Sequence, residues 1–106
     1  TAATAMANVM FETLLAKKNL QAAIDEPRLH YVTDTDEVVI EDREKKDRLV
    51  SLISLGHKVR RLPNIGRGNA ISCPEGLPSP NPQCDVQADP RGSGVTSTVI
   101  LQKQER

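Results

Sequence analysis

Aromatic residues are almost missing from this 106-residue chain: one Tyr, one Phe and no Trp, or 2% of the sequence. Aromatic side chains bury the most area per residue in ordinary cores, so their scarcity leaves little material for an independent core. Small domains already bury a smaller share of their surface than large ones. The composition therefore predicts a chain that is part of something larger. A charge of one sign is missing too, since 14 basic and 14 acidic residues give a formal net charge of zero. That excludes the basic excess expected of a nucleic-acid-binding face. No apolar run reaches the roughly 18 residues of a membrane-spanning helix. The sequence begins at Thr1 rather than Met and has no basic region leading into an apolar stretch, so no signal peptide is visible and a cut or processed chain is expected.

The clearest element covers residues 2–16, where Ala2, Met6, Met10 and Leu14 repeat every four residues. Val9 and Thr13 widen that face, and Phe11 and Leu15 add apolar surface on the other side. Thr4, Asn8 and Glu12 form the narrow polar stripe. A helix apolar over most of its girth is normally buried. Lys17 and Lys18 suit its C-terminal end, and Asn19 is its expected terminator. Leu20, Ala23 and Ile24 then start a short second helix, which Pro27 ends by forcing its predecessor out of the helical region. Residues 37–40 predict a strand, residues 42–55 a helix, and residues 57–62 a second strand, an arrangement of mixed α and β class. The pairs Glu41–Lys45, Asp42–Lys46 and Glu44–Arg48 run acid to base at i,i+4, the favourable order. Leu49, Leu52, Ile53 and Leu55 are the expected buried end of that helix, and Gly56 is its cap.

Residues 63–94 differ in kind, holding all seven prolines except Pro27 and all six glycines except Gly56. Residues 69–73 and 84–88 predict two short antiparallel strands around a Pro-rich loop at 74–83. Residues 95–101 are β-branched and strand-like, and residues 102–106 are expected to fray.

Four features bear on chemistry. His30 and His57 lie 27 residues apart in separate elements and lack the repeating spacing of a metal site, so local hydrogen bonding or solvation is the expectation for each. Gly66-Arg67-Gly68 lacks the third glycine and the following helix of a dinucleotide fingerprint, and predicts a loop entering a hairpin. Thr1 as an N-terminal nucleophile requires a strand that presents it at a cleft, but it runs straight into a helix. Cys73 and Cys84 sit at the facing ends of the two predicted strands, where cross-strand Cβ atoms come about 4.5–5.5 Å apart, close to disulfide reach. A disulfide is expected, with two buried free thiols as the alternative; a disulfide implies an oxidising compartment.

The segment "NLQAAIDEPRLHY", residues 19–31, resembles a helix followed by Ala-Ile-x-x-Pro-Arg-x-His in the small subunit of gamma-glutamyltransferases. Thr1 to Leu15 resembles the helix before that run. "LISLGHKV", residues 52–59, is similar to the family's Leu-x-x-x-Gly-His-x-Val, and "ADPRG", residues 88–92, to its Ser-Asp-Pro-Arg-x-Gly. The resemblance implies part of the four-layer αββα fold of N-terminal-nucleophile hydrolases. It implies a parent that cleaves gamma-glutamyl bonds, those of glutathione above all, and passes the glutamyl group to water, an amino acid or a dipeptide. In that family the precursor cuts itself to expose a nucleophilic Thr, and a Gly-Gly pair stabilises the developing oxyanion. Neither motif occurs here, so the resemblance carries over no catalytic residue, cofactor or metal ligand. The Pro27-Arg28-Leu29-His30 run is read as structural, with Arg28 bonding nearby carbonyls.

The implied partners are the rest of the small subunit and the large subunit; the implied place is outside the cell, and this chain alone is expected to be inactive. The longer loop between Cys73 and Cys84, and a tail at 95–106 unlike the family's Gly-Tyr ending, imply a divergent member. The competing reading is a small secreted, disulfide-stapled α/β interaction module whose Pro-rich loop binds a partner.

Overall fold

A computed structural model describes residues 2–80 and 83–97. Helix α1, Ala2–Met10, continues as a π-helical turn, Phe11–Leu15. Lys17 takes a left-handed conformation at φ 59°, and the Lys18 amide closes back on the Glu12 carbonyl at 2.9 Å. The predicted terminator Asn19 does a different job. Its side chain accepts a hydrogen bond from the Ala22 amide at 2.8 Å and so caps the start of α2, Leu20–Asp25. Lys18 ties the two helices together through Glu12 at 2.7 Å and Glu26 at 3.0 Å.

Past Pro27 the chain runs extended as β1, Leu29–Val32, followed by β2, Glu37–Glu41, then α3, Lys46–Ser54, and β3, Lys58–Leu62. These make a three-stranded sheet in the order β1-β2-β3, antiparallel between the first pair and parallel between the second. A parallel pair needs a crossover, and α3 supplies it. The central strand is covered on both faces: Val38, Val39, Ile40 and Glu41 are all buried. The chain closes with a hairpin, β4 (Ala70–Ser72) against β5 (Asp85–Gln87). Its register pairs Ser72 with Asp85, which brings Cys73 and Cys84 opposite each other. They form the expected disulfide, with Cα atoms 4.3 Å apart. Val9, Leu20, Ala23 and Ile24 form a small core between the helices, with Ala70 of the hairpin packed against it.

The structure corrects several expectations. The third helix starts at Lys46, not at residue 42, because β2 extends through Glu41 and residues 42–44 turn. Of the three charge pairs read along that helix, Glu44–Arg48 is formed, at 3.3 Å; Glu41 has turned into the interior instead. The apolar end of α3 is not buried: Ile53 and Leu55 face solvent. Gly56 does end the helix, at φ 92°, with its amide on the Ile53 carbonyl and that of His57 on the Leu52 carbonyl. Helix α1 is buried along Ala5 and Val9 rather than along Ala2, Met6, Met10 and Leu14. Residues 95–97 form no strand; the remainder of the predicted strand, and residues 102–106, lie outside the described residues.

Candidate functional site

The interior holds charge. Arg28, Glu41, Asp89 and Arg91 meet beneath α2, each with a side chain no more than 2% exposed. Local structure explains how they arrive. Pro27 ends α2 and sends Arg28 back under the helix it has left. Glu41 is the last residue of β2. Asp89 and Arg91 flank Pro90 in a tight turn closed by the Gly92 amide on the Asp89 carbonyl at 3.0 Å.

Every acceptor site on the two carboxylates is used. Glu41 Oε1 accepts from the Arg28 amide at 2.7 Å and from Arg91 Nη2; Oε2 accepts from the Ile65 amide at 2.8 Å and from Arg91 Nε. Asp89 Oδ1 accepts from the Arg91 amide and Arg91 Nη1, both at 3.0 Å. Its Oδ2 accepts from the Gly68 amide at 2.7 Å and from Arg28 Nη2 at 2.8 Å. Arg91 in turn spends its five N–H donors completely, since Nη1 also reaches the Ile24 carbonyl at 2.7 Å and Nη2 the Glu26 carbonyl at 3.0 Å. Arg28 donates to the Ile65 and Ile24 carbonyls at 3.1 and 3.3 Å; its Nε has no partner. Both guanidiniums thus lie at the C-terminal end of α2, where the orphan carbonyls and the helix dipole favour a cation.

Burial by itself pushes the carboxyls of Glu41 and Asp89 up. For Glu41 the Arg91 guanidinium and the Ile65 and Arg28 amides outweigh it and hold the group below the ordinary carboxylate range. For Asp89 the Arg91 and Gly68 amides and the two guanidiniums do the same. Burial lowers Arg91, but Glu41 and Asp89 outweigh it and raise the group overall. Two anions and two cations, each ionised and hydrogen-bonded, form a neutral set. Carboxylates saturated in this way have no lone pair free to act as a base or nucleophile, so the cluster is a clamp rather than a catalytic centre. It joins α2, β2, the loop at residues 63–69 and the turn at residues 89–92.

The singled-out residues fall in separate places. His30, on β1, shares a 2.7 Å hydrogen bond between Nδ1 and Thr4 Oγ1 of α1, a contact across 26 residues rather than a local one. His57 is exposed just before β3. Among the described residues no group of three His, Cys, Asp or Glu side chains is placed to hold a metal ion. Gly66 and Gly68 lie in the loop leading to β4, as expected. A Cβ on Gly68 would meet Met6 Sδ at 3.2 Å, so this glycine lets the loop pack closely on α1. Thr1 lies outside the described residues.

The bonding of Arg28 to carbonyls was legible from sequence; Glu41, Asp89 and Arg91 as its partners were not. The quoted segment at residues 88–92 contains two of them. The signal that marks Glu41 is an acidic residue directly after the apolar run Val38-Val39-Ile40.

The gamma-glutamyltranspeptidase family model matches residues 1–99. Among solved structures, that of an acivicin-inhibited gamma-glutamyltranspeptidase is similar at 26% identity and a TM-score of 0.75, covering 87% of this chain and 48% of the other. A mutant gamma-glutamyltranspeptidase of Helicobacter pylori shares the fold at 24% identity and a TM-score of 0.75, covering 85% and 48%. The enzyme of Pseudomonas nitroreducens, solved with L-DON, shares it at 20% identity and a TM-score of 0.76, covering 92% and 49%. The chain thus spans about half the length of the solved chains it matches. Among curated proteins none matches its sequence.

Proposed function

Because this chain belongs to the gamma-glutamyltranspeptidase family, we propose that it is a scaffold portion of an enzyme that cleaves the gamma-glutamyl bond of glutathione and passes the glutamyl group to water, an amino acid or a peptide. The observation that carries the reading is the family match over residues 1–99. Within the parent the chain contributes to a four-layer αββα N-terminal-nucleophile fold. The nucleophilic Thr and the oxyanion donors come from the remainder of the enzyme. The clamp of Arg28, Glu41, Asp89 and Arg91 supports this division of labour, since its carboxylates are consumed in holding elements together.

The remainder of the parent also covers α1. Met10, Phe11, Leu14 and Leu15 are 54–70% exposed, and Ile71 and Leu77 of the hairpin region are similarly open. Met10, Leu14 and Ile71 border one cavity, and apolar surface that adjoins in this way marks a docking face. The matched structures contain about as much chain again, which supports the rest of the enzyme as its occupant. The Cys73–Cys84 bond supports an oxidising compartment, and so an extracellular or cell-surface parent.

The test is to produce the full parent protein and follow release of the chromophore from a gamma-glutamyl anilide, with and without an acceptor dipeptide. The parent should turn over and the 106-residue chain alone should not. A folded, processed parent with no gamma-glutamyl turnover would reject the reading.

A further inference from the structure

A groove runs along the outer side of the loop that the clamp holds. It consists of two adjoining cavities that share Asn64 and Gly66 as a common wall. The larger, about 470 Å³, is lined by Ala2, Arg67 and Arg91 besides the shared pair. The smaller, about 290 Å³, is lined by His30 and Arg60, with Val32, Val39, Leu62 and Ile65 as an apolar floor. Among the described lining residues every ionisable side chain is an arginine or a histidine; no carboxylate lines either cavity.

The cations are not equivalent. Arg91 is spent on Glu41, Asp89 and two carbonyls, so it adds only to the background. Arg60 is paired with Glu37 at 3.5 Å and half exposed. His30 is engaged at Nδ1 by Thr4. Arg67 makes no ion pair among the described residues and packs its stem beside Gly92, where an added Cβ would stand 3.4 Å from Arg67 Cδ. The wall between the cavities is rigid. The Ile65 amide and carbonyl are held by Glu41 and Arg28, the Gly68 amide by Asp89, and Gly66 turns the chain at φ 67°. An anchored loop beside an unspent guanidinium is a preorganised acceptor for a planar anion.

We propose that this groove is a subsite for a small ligand's free carboxylate, gripped by the Arg67 guanidinium and the Asn64 amide, with the ligand's apolar part over Val39, Leu62 and Ile65. A guanidinium forks onto a carboxylate through two parallel hydrogen bonds, and the apolar floor of the adjoining cavity takes the ligand's apolar part. The assignment goes beyond the family reading and stands independently of it.

The experiment is a two-dimensional NMR titration of the full parent protein with N-acetylglycine, with N-acetylglycinamide and with inorganic phosphate. The Asn64, Gly66 and Arg67 amides should shift with N-acetylglycine and stay unmoved with the amide, which lacks the charge. Arg67→Ala should weaken binding by about tenfold or more, as expected for a lost hydrogen bond between charged groups. Arg67 is exposed and contacts the turn through its stem, so a dispersed spectrum for this variant shows that its fold is intact. Arg60→Gln should weaken binding less, since Arg60 is already shared with Glu37. Equal shifts from phosphate would mean a general anion site and overturn the carboxylate assignment. Equal shifts from the amide, no shifts at these residues, or an unchanged affinity in Arg67→Ala would overturn the subsite itself.

Discussion

Beneath α2 four charged side chains are shut away from water, while at the end of α1 and along its π-helical turn four large apolar ones face it. The two regions invert the usual distribution, in which charge is outside and large apolar groups are inside. Each inversion has its own cause. The buried charges persist because both carboxylates have all four acceptor sites filled and Arg91 has all five donors used. Such a set repays desolvation only when its charges are paired, and of its donors Arg28 Nε alone is left over. The exposed apolar face has no comparable internal solution, since apolar surface is satisfied only by being covered. One region is therefore finished within this chain and the other is open. The difference separates what this sequence stabilises by itself from what it offers to the rest of the enzyme.

The sharpest way to break the comparison is to remove one partner from the finished region. Arg91→Ala leaves buried Glu41 without a cation and Asp89 with Arg28 alone, and should cost about 3–5 kcal/mol, as for other broken buried pairs. Urea unfolding followed by circular dichroism measures it. Arg91→Lys should recover only part of the loss, because an ammonium cannot reproduce a planar set of five donors. A loss below about 1 kcal/mol for the alanine variant would show that the clamp is not what holds these elements together.

Acid attacks the same region without mutation. Glu41 and Asp89 titrate below their ordinary range when folded. The unfolded chain therefore takes up these protons first, near the unperturbed values of about 4. Their contribution is complete above that pH and fades as pH falls through the lower folded values. The urea midpoint should hold steady from neutral pH to about 5 and drop below about 4. In Arg91→Ala this drop should shrink or disappear.

The hairpin lies between the two extremes. Its bond closes a loop with a sequence separation of 11. In the chain-entropy model, reduction should remove about 2–3 kcal/mol. Thiol counting under denaturing, non-reducing conditions should find no free thiol. Unfolding in the presence and absence of reductant gives the size of the effect.

The smallest effect on stability should come from the open region. Leu15→Lys alters a residue 70% exposed and should change stability by no more than about 0.5 kcal/mol. It should lower self-association of the isolated chain, read as mass by light scattering. A monomeric wild-type chain with strong hydrogen-exchange protection through residues 6–14 would mean that α1 needs no cover.

The helices, the strands β2 to β5, the Pro27 break, the Gly56 cap and the antiparallel strands that pair Cys73 with Cys84 were legible in the sequence; β1, Leu29–Val32, was not. Each rests on local chemistry: ring closure at proline, the freedom of glycine at φ 92°, and turn residues between two β-favouring runs. The matched segments also announced the family. Tertiary structure decided the rest. Glu41 reads as the opening of a helix with its partner four residues on, yet it ends a strand and reaches Arg91, 50 residues away. Asn19 reads as a terminator, yet it caps the helix that follows. Sequence spacing records which residues are neighbours along one element. It carries no record of which distant backbone amides and carbonyls will be left needing a charge when the elements pack, and that need is what drew four ionised side chains into the interior.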